Sequence, residues 1–509
     1  MKKFLFLLLL LSQFHSVHAQ DGILDPSFDL DGIVSTDIAN SEDVGRSVVV
    51  QADGKVIVAG NTTDSLNHFC LVRYHTDGAV DSSFGTNGIV ITRFPPAGSI
   101  IYGLALQADG KILAGGSATP GFALARYHTD GSLDNSFGTS GIVTTSIQGN
   151  PAVAQAIAIQ TDGKIVLGGF SNNFLVDGSS CVVVRYNTDG SLDQTFSNGG
   201  IAITDIIPGS GLNAVDQIRD LKVQPDGKIV SAGFAADKIA LIRHNSDGSL
   251  DQSFGSGGII AHNTTGVIDA VAIQNNGSIT VAGFQNNPYS DFMLVRFDYS
   301  GNLDSTFGTS GVVISPLGPK QDGAAALLFQ ADQKMLAGGL IFKDSINQFV
   351  LARYNTNGTL DPTFGTNGFV TTQADSASSA VTSLALQSDG NIIAAGYGYR
   401  NGVSNFTLAR YTSGTVAIQE PSPFLSKFSV YPNPMMETVT IEYVLKMSGK
   451  VDFEIMNSNG QRIGDGLVSG YREKGENSES FHVGHLSSGL YFVSISTLEG
   501  KQTFKLIKE

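Results

Sequence analysis

The chain has 509 residues, of which 41% are hydrophobic and only 15% charged. Soluble domains average nearer 25% charged, so a disordered polyelectrolyte and a coiled coil are both excluded. A formal net charge of −15 argues against nucleic acid or an anionic membrane surface as a partner.

At the start, Lys2 and Lys3 precede an apolar run over residues 4–11, and Val17-His18-Ala19 follows. This is the pattern of a secretory signal peptide covering residues 1–19, with cleavage after Ala19. The run is too short to span a bilayer, and no later apolar stretch reaches that length. Cys70 and Cys181 lie in strand-like segments of different repeats. They read as small buried hydrophobes with no disulfide between them.

From residue 20 to 411 one unit recurs seven times. A Gln-x-Asp-Gly-Lys-like segment begins at Gln51, Gln107, Gln160, Gln224, Gln274, Gln330 and Gln387, at intervals of 56, 53, 64, 50, 56 and 57 residues. An Arg-aromatic pair follows each at Arg73, Arg126, Arg185, Arg243, Arg296, Arg353 and Arg410. A third signature, Asp-x-x-Phe after Leu or Val, has its Asp at Asp25, Asp81, Asp134, Asp193, Asp251, Asp304 and Asp361.

Each unit reads as four short strands bounded by Gly and Asp, with no 3.6-residue apolar period. In the second unit they fall near 104–107, 111–115 and 122–127, and then 132–137 with 141–145. Four strands every 50–64 residues fit a propeller blade better than a solenoid coil. Asp-Gly after one variable residue suits a three-residue hairpin loop ending in left-handed Gly. That register sets Gln51 opposite Lys55 and Arg73 opposite Asp81. The sixth unit has Gln333 where Gly belongs, so strain or a changed turn is expected there. The first Asp-x-x-Phe precedes the first Gln segment, and none follows Arg410. Seven blades therefore close if residues 24–36 supply the outer strand of the blade holding Gln387 and Arg410.

These three signatures, in order in seven units, resemble the delta-60 repeat family of bacterial propeller-like proteins, over about residues 24–411. The resemblance implies the fold and leaves the function open.

After a linker at 412–427, which contains Gly414, Pro421 and Pro423, a different pattern occupies 428–509. Residues 439–443 and 451–456 alternate like strands, Asn459-Gly460 reads as a hairpin turn, and 486–495 as a turn followed by a strand. A small antiparallel β-sandwich of Ig-like type fits. The segment resembles the type A C-terminal sorting domain of the type IX secretion system. The matching residues are Tyr431-Pro432-Asn433-Pro434, Asn459-Gly460-Gln461, Gly489-Leu490-Tyr491-Phe492 and Lys505-Leu506-Ile507-Lys508. That resemblance implies a Gram-negative bacterium of the Bacteroidetes group, with export to the periplasm and then outer-membrane passage through that machinery. Such domains are usually cleaved, leaving cargo released or surface-anchored.

Motifs for chemistry are few. The chain has no His-Glu-x-x-His, Cys-x-x-Cys, Gly-x-Ser-x-Gly or P-loop, and neither a metal nor a cofactor is expected. His75 and His128 share a turn position, which reads as exposed hairpin decoration. Asp29-Leu30-Asp31-Gly32 reads as a turn rather than a calcium loop. The seven Arg and seven Asp read as cross-strand structural pairs, in preference to a guanidinium ring for an anion.

In a four-stranded meander both Asp-Gly hairpins of a blade share one face, and the variable connections share the other. Variable loops on a regular scaffold are the usual place for recognition. Phe174, Tyr289, Phe342, Tyr397, Tyr399 and Arg400 lie there as candidates for stacking on a sugar or anchoring a protein. The expectation is a monomeric, non-enzymatic binding protein for a glycan or protein. A polysaccharide hydrolase or lyase with channel carboxylates, and a purely structural surface component, are the alternatives.

Overall fold

A computed structural model describes residues 21–38, 40–173, 178–207, 215–285, 289–413, 425–432, 434–445, 448–457, 462–497 and 500–508. None of these residues is helical. The chain divides into two compact units, one up to Gly414 and one from Thr415.

The first unit is seven four-stranded antiparallel sheets. The first blade runs Glu42–Val50, Val56–Thr63, Asn67–Tyr74 and Ile89–Thr92 from inside to outside. The seven innermost strands touch their neighbours around a ring, the last against the first. The seventh blade takes Ser379–Leu386, Ile392–Arg400 and Val403–Tyr411 and borrows Ile33–Thr36 as its outer strand. Ile33 pairs with Ala409 and Thr36 with Phe406, while Leu24 bridges Tyr411. The ring is thus closed by the N-terminal segment, as the order of signatures requires.

One expected strand is absent. In the second blade residues 132–137 contribute only the bridge Tyr127–Leu133, and the outer strand is Ile142–Thr145. The intervening loop is an excursion after which pairing resumes, since Arg126 N–H donates to Gly141 O at 3.0 Å. The polar Asp-x-Ser/Thr run turns back on itself through local hydrogen bonds instead of pairing.

The apolar cores lie between blades rather than inside them. One cluster joins Ile57, Phe69 and Leu71 of the first blade to Leu104, Ile112 and Ala114 of the second. Another joins Val48 and Val58 of the first to Ile393 and Leu408 of the seventh. The middle strands are buried almost throughout, which is why their sequences run apolar without alternation.

Each innermost strand carries a bulge, with one residue left out of register. In the first blade pairing skips from Gly45 to Ser47 and leaves out Arg46. The others leave out Tyr102, Gln155, Arg219, Asp269, Ala325 and Thr382. The bulge presses the inner backbone onto the second strand. A Cβ at Gly60, Gly116, Gly169, Gly233, Gly283, Gly339 or Gly396 would sit 1.8–1.9 Å from an inner-strand carbonyl oxygen. Glycine at this place is therefore a steric requirement.

The second unit packs a three-stranded sheet, Leu425–Tyr431, Thr438–Leu445 and Gly475–His482, with a four-stranded one. The latter is ordered Arg462–Arg472, Gly449–Asn457, Gly489–Thr497, Gly500–Lys508. Val439, Ile441, Tyr443, Phe453, Val493, Ile495 and Leu506 share its core. The Asn459-Gly460-Gln461 turn lies outside the described residues.

The first-blade Asp-Gly turn keeps Gln51 N–H on Lys55 O at 2.8 Å, with Gly54 at φ +83°. The sixth blade makes the same turn with Gln333 forced to φ +65°. Its N–H donates to Gln330 O at 2.9 Å, as Gly54 N–H does to Gln51 O. The turn is unchanged and the backbone is strained. Gln333→Gly is expected to stabilise the propeller by about 1 kcal/mol, and Gly110→Gln to destabilise it by a similar amount. Thermal melts of the two variants check this; equal shifts in one direction would contradict it.

Candidate functional site

The three repeated signatures meet at each junction between blades. Each Arg places a guanidinium nitrogen 2.7–2.9 Å from its Asp carboxylate. It also lies over the signature Phe, 4.3–4.8 Å from the ring centroid. A further nitrogen donates to a carbonyl in the next blade: Arg73 to Thr129, Arg126 to Thr188, Arg185 to Ser246, Arg243 to Tyr299, Arg296 to Thr356. Arg353 donates to Ser413 and Arg410 to Thr76, across the closure. Each Phe plugs the core shared with that next blade, as Phe84 and Phe137 do. All seven guanidinium side chains are at most 9% exposed, so they form joints and not an open anion ring.

Two further parts of the joint escaped the sequence reading. The residue two after each Asp is Ser27, Ser83, Ser136, Thr195, Ser253, Thr306 or Thr363. Its hydroxyl donates to the carboxylate at 2.6–2.8 Å. The signal was present, because the third signature is Asp-x-Ser/Thr-Phe in every copy. In five blades the Lys of the first signature also reaches the same carboxylate, at 2.8–3.1 Å. Burial pushes the Asp81 carboxyl up, but Ser83, Lys55 and Arg73 outweigh it and hold it well below the usual range. Asp134, Asp193 and Asp251 behave alike, and Asp361 falls to about 2. His75 and His128 stay about half exposed, 3.5 and 3.8 Å from Asp81 and Asp134.

The opposite face and the axis carry what the repeats do not share. Tyr397 and Tyr399 stand edge to face at 6.0 Å. Arg400, half exposed, grips the buried Asp375 at 2.7 Å. Arg46, from the bulge of the adjacent blade, lies 4.9 Å over the Tyr102 ring and donates to Asn61 Oδ1 at 3.2 Å. Burial raises the Tyr397 hydroxyl pKa and nearby Arg46 opposes this. The candidates Tyr397 and Tyr399 thus stand near Arg46 and Tyr102, which only the bulge reveals, while Arg400 is turned to Asp375 instead. Tyr289 is 58% exposed. Phe342 is covered by the Lys320 ammonium at 4.6 Å. Phe174 lies outside the described residues.

Carboxylates near the axis differ from those of the joints. Burial lifts Asp269, on the innermost strand of the fifth blade, to about 6, against the pull of Arg219. Asp220 pairs instead with Lys222 at 2.9 Å and accepts Val271 N–H at 2.9 Å. Asp43, Asp216 and Asp322 begin innermost strands and cap the preceding connection. Asp216 accepts Ile206 N–H at 2.7 Å, for example. Burial raises all three, Asp216 and Asp322 to about 6. Burial also raises the thiols of Cys70 and Cys181, both free. Among the described residues no cluster of His, Cys, Asp or Glu could hold a metal ion.

In the C-terminal unit Tyr431 is half exposed and donates to Glu442 at 2.5 Å; Pro432 and Pro434 are exposed. Asn433 lies outside the described residues. Tyr491 is buried beside Gly489 and donates to Ser487 O at 2.8 Å. The backbone of Lys505 pairs with Phe492 in the last strand.

Comparison with known proteins agrees with this division. A family model described as "Domain of unknown function (DUF5122) beta-propeller" matches residues 51–84, 107–137, 160–196, 224–254, 274–307, 330–364 and 387–414. A second, described as "Secretion system C-terminal sorting domain", matches 429–509. No curated protein matches the chain. Similar solved structures include a protein from Lactobacillus plantarum, 11% identical, covering 84% of this chain and 99% of that one, at TM-score 0.41. Trypanosoma rangeli sialidase with the inhibitor DANA is 9% identical, covering 93% and 87%, at 0.37. A glycoside hydrolase family 32 structure from Bifidobacterium adolescentis is 11% identical, covering 93% and 78%, at 0.27. At such identities and scores these likenesses say nothing of activity.

Two outcomes follow from the joint and the buried carboxylates. Arg243→Ala removes a fully buried guanidinium with its ion pair and inter-blade hydrogen bond, leaving Asp251 to Lys228 and Ser253, and is expected to cost about 3–5 kcal/mol, whereas Tyr289→Ala should stay within about 0.5 kcal/mol. Equal melting temperatures would refute the joint. The joint carboxylates titrate below 3.8 when folded, so their stabilisation is present above that pH and lost as pH falls further. Asp216, Asp269 and Asp322 titrate near 6 when folded; their stabilisation is full below 3.8 and lost as pH rises through 6. The melting temperature should therefore peak between about pH 4 and 6, with the steeper fall on the acid side.

Proposed function

Because the chain belongs to the DUF5122 β-propeller family and ends in a secretion-system sorting domain, we propose that it is a secreted, non-enzymatic propeller that binds a glycan at the cell surface. Export to the surface or extracellular space follows from the sorting domain. Among the described residues no helix is long and apolar enough to cross a membrane. The binding reading rests on one observation: Tyr397, Tyr399, Arg46 and Tyr102 cluster where neighbouring blades meet, opposite the joints. Aromatic faces beside guanidinium groups suit sugar rings that carry hydroxyl or acidic substituents. The repeat architecture does not demand them: the bulge places of Arg46 and Tyr102 hold Gln155, Asp269, Ala325 and Thr382 in other blades, and the places of Tyr397 and Tyr399 hold Asn61 and Thr63 in the first. Partial counterparts exist, since Phe170, Phe234 and Phe284 share the Tyr397 place and Arg219 lies 5.4 Å over the Phe234 ring.

A second reading, a polysaccharide-cleaving enzyme working from the axis, is favoured by Asp269 alone, whose raised pKa near 6 suits a general acid. Glycosidases need two carboxyls in defined roles. Asp220, on the neighbouring strand, is tied up by Lys222 and a backbone N–H.

A glycan array with the full secreted chain tests both. Binding without turnover, weakened about tenfold or more by Tyr399→Ala and left intact by Asp269→Asn, is the expected result. Turnover abolished by Asp269→Asn but kept in Tyr399→Ala would replace the proposal with the enzyme. Loss of residues 429–509 should leave the protein inside the cell, as fractionation would read.

A further inference from the structure

The joints are not all alike on the Asp-Gly face. Lys55, Lys111, Lys164, Lys228 and Lys334 place their ammonium groups 2.8–3.1 Å from Asp81, Asp134, Asp193, Asp251 and Asp361. Those five carboxylates are only 2–7% exposed. The fifth blade has Ser278 in place of lysine. Its carboxylate, Asp304, still holds Arg296 at 2.8 Å but is 23% exposed. Asp304 also accepts Thr306 Oγ1 at 2.6 Å. That hydrogen bond is the largest cause holding its carboxyl below the usual range, so it is ionised at neutral pH.

A cleft of about 440 Å³ opens over it, lined by Gln274, Asn276, Ser278, Arg296, Asp304 and Thr306 among others. In the first blade the cleft at the same level is lined by Lys55 and Arg73, with Asp81 2% exposed beneath them. The fifth blade has thus kept the anion, the fork of Arg296 and the surrounding amides, and lost the cation that elsewhere completes the set. The seventh blade also lacks the lysine, with Asn391 in its place; there Asn391 Nδ2 is held by Asp389 at 3.0 Å, and Asp25 is 13% exposed.

We propose that the fifth-blade cleft binds an alkylammonium group, the chemistry of a lysine side chain, with its nitrogen on Asp304 where the lysine ammonium stands in five other blades. Neutral amides of Gln274 and Asn276 line the cleft and suit the remaining N–H donors of a primary amine. A carboxylate already ionised and partly desolvated attracts such a group more strongly than an open surface charge does. The site lies on the face opposite Tyr397 and Tyr399, so it stands or falls independently of glycan binding there.

The test uses the full chain with n-butylammonium chloride, and tetramethylammonium chloride at equal ionic strength as the control that cannot donate a hydrogen bond. Butylammonium at ten times its dissociation constant should raise the propeller melting temperature by about 1–2 °C, and tetramethylammonium should not. Ser278→Lys should raise the melting temperature without ligand and abolish the butylammonium shift. Ser278→Met, a chain of similar reach without charge, should abolish the shift as well, and Ser278→Ala should keep it. The proposal is overturned if butylammonium acts no differently from tetramethylammonium, or if its shift survives in Ser278→Met or Ser278→Lys.

Discussion

The architecture depends on a buried guanidinium shared between two blades. Arg has five N–H donors in a rigid fork; each copy uses them on its own Asp and on a carbonyl of the following blade, and all but Arg243 also on a hydroxyl beside it. The same group rests on a Phe that belongs to the inter-blade core. Lysine is no substitute, since a compact ammonium lacks the flat fork that spans a carboxylate and a carbonyl while stacked on a ring. Because every apolar cluster of the propeller straddles a joint, a lone blade would expose both its faces. The ring must therefore close.

Closure splits one hairpin between the two ends of the propeller. Elsewhere the loop after the signature Phe donates to the turn of the next blade, as Gly308 N–H does to Asn357 O at 2.9 Å. At the sixth joint Gly365 N–H donates to Asp21 O at 2.8 Å, and Arg353 reaches both Asp21 and Ser413 O. Gly22 N–H then donates to Thr412 O, and Thr412 N–H returns to Ile23 O. Two chain segments far apart in sequence rebuild the turn that one segment makes in the other blades. Loop-closure entropy makes such a late, non-local contact slow to form, yet it removes the open sheet edge that seven unclosed blades would leave.

The sequence disclosed the blade count, the closing strand, the Arg–Asp registers and the strained Gln333 turn, because each rests on local spacing. It hid what depends on a single extra residue. A bulge changes neither composition nor apolar content, so Arg46 and Tyr102 look like ordinary inner-strand residues until the opposed glycines are explained. The outer strand reads too long, through 132–137, for a related reason. Leu133 and Phe137 look like strand residues four apart, while Asp134 and Ser136 are folding the chain back onto itself. Phe342 shares a loop position with Tyr397 and Tyr399, but the cation covering it comes from a separate connection that no pattern links to it. Asp43, Asp216 and Asp322 share one place in three blades, and Ser99, Ala152, Gly266 and Ser379 fill it in the rest, so no repeat signature marks it.

Sevenfold repetition turns departures into evidence. A residue kept in every blade is answerable to the joint, and its presence says nothing about ligands. A residue that breaks the pattern must be tolerated by a scaffold that solves the same packing problem six more times. Two kinds of break occur. Along the axis the bulge positions hold Arg, Tyr, Gln, Arg, Asp, Ala and Thr in turn, which shows that the bulge constrains the backbone and not the side chain. On the Asp-Gly face the constraint is on the side chain, because a lysine finishes the charge set in five blades. Ser278 gives up that stabilisation while Asp304, Thr306 and Arg296 stay in place. Had the lysine been lost by drift alone, the carboxylate would still be anchored by arginine, so retention of Asp304 is no argument by itself. The uncovered carboxylate is the physical difference: the first blade has a cleft of about 560 Å³ at the same level, but there Lys55 covers Asp81, whereas in the fifth blade Asp304 itself opens to the cleft.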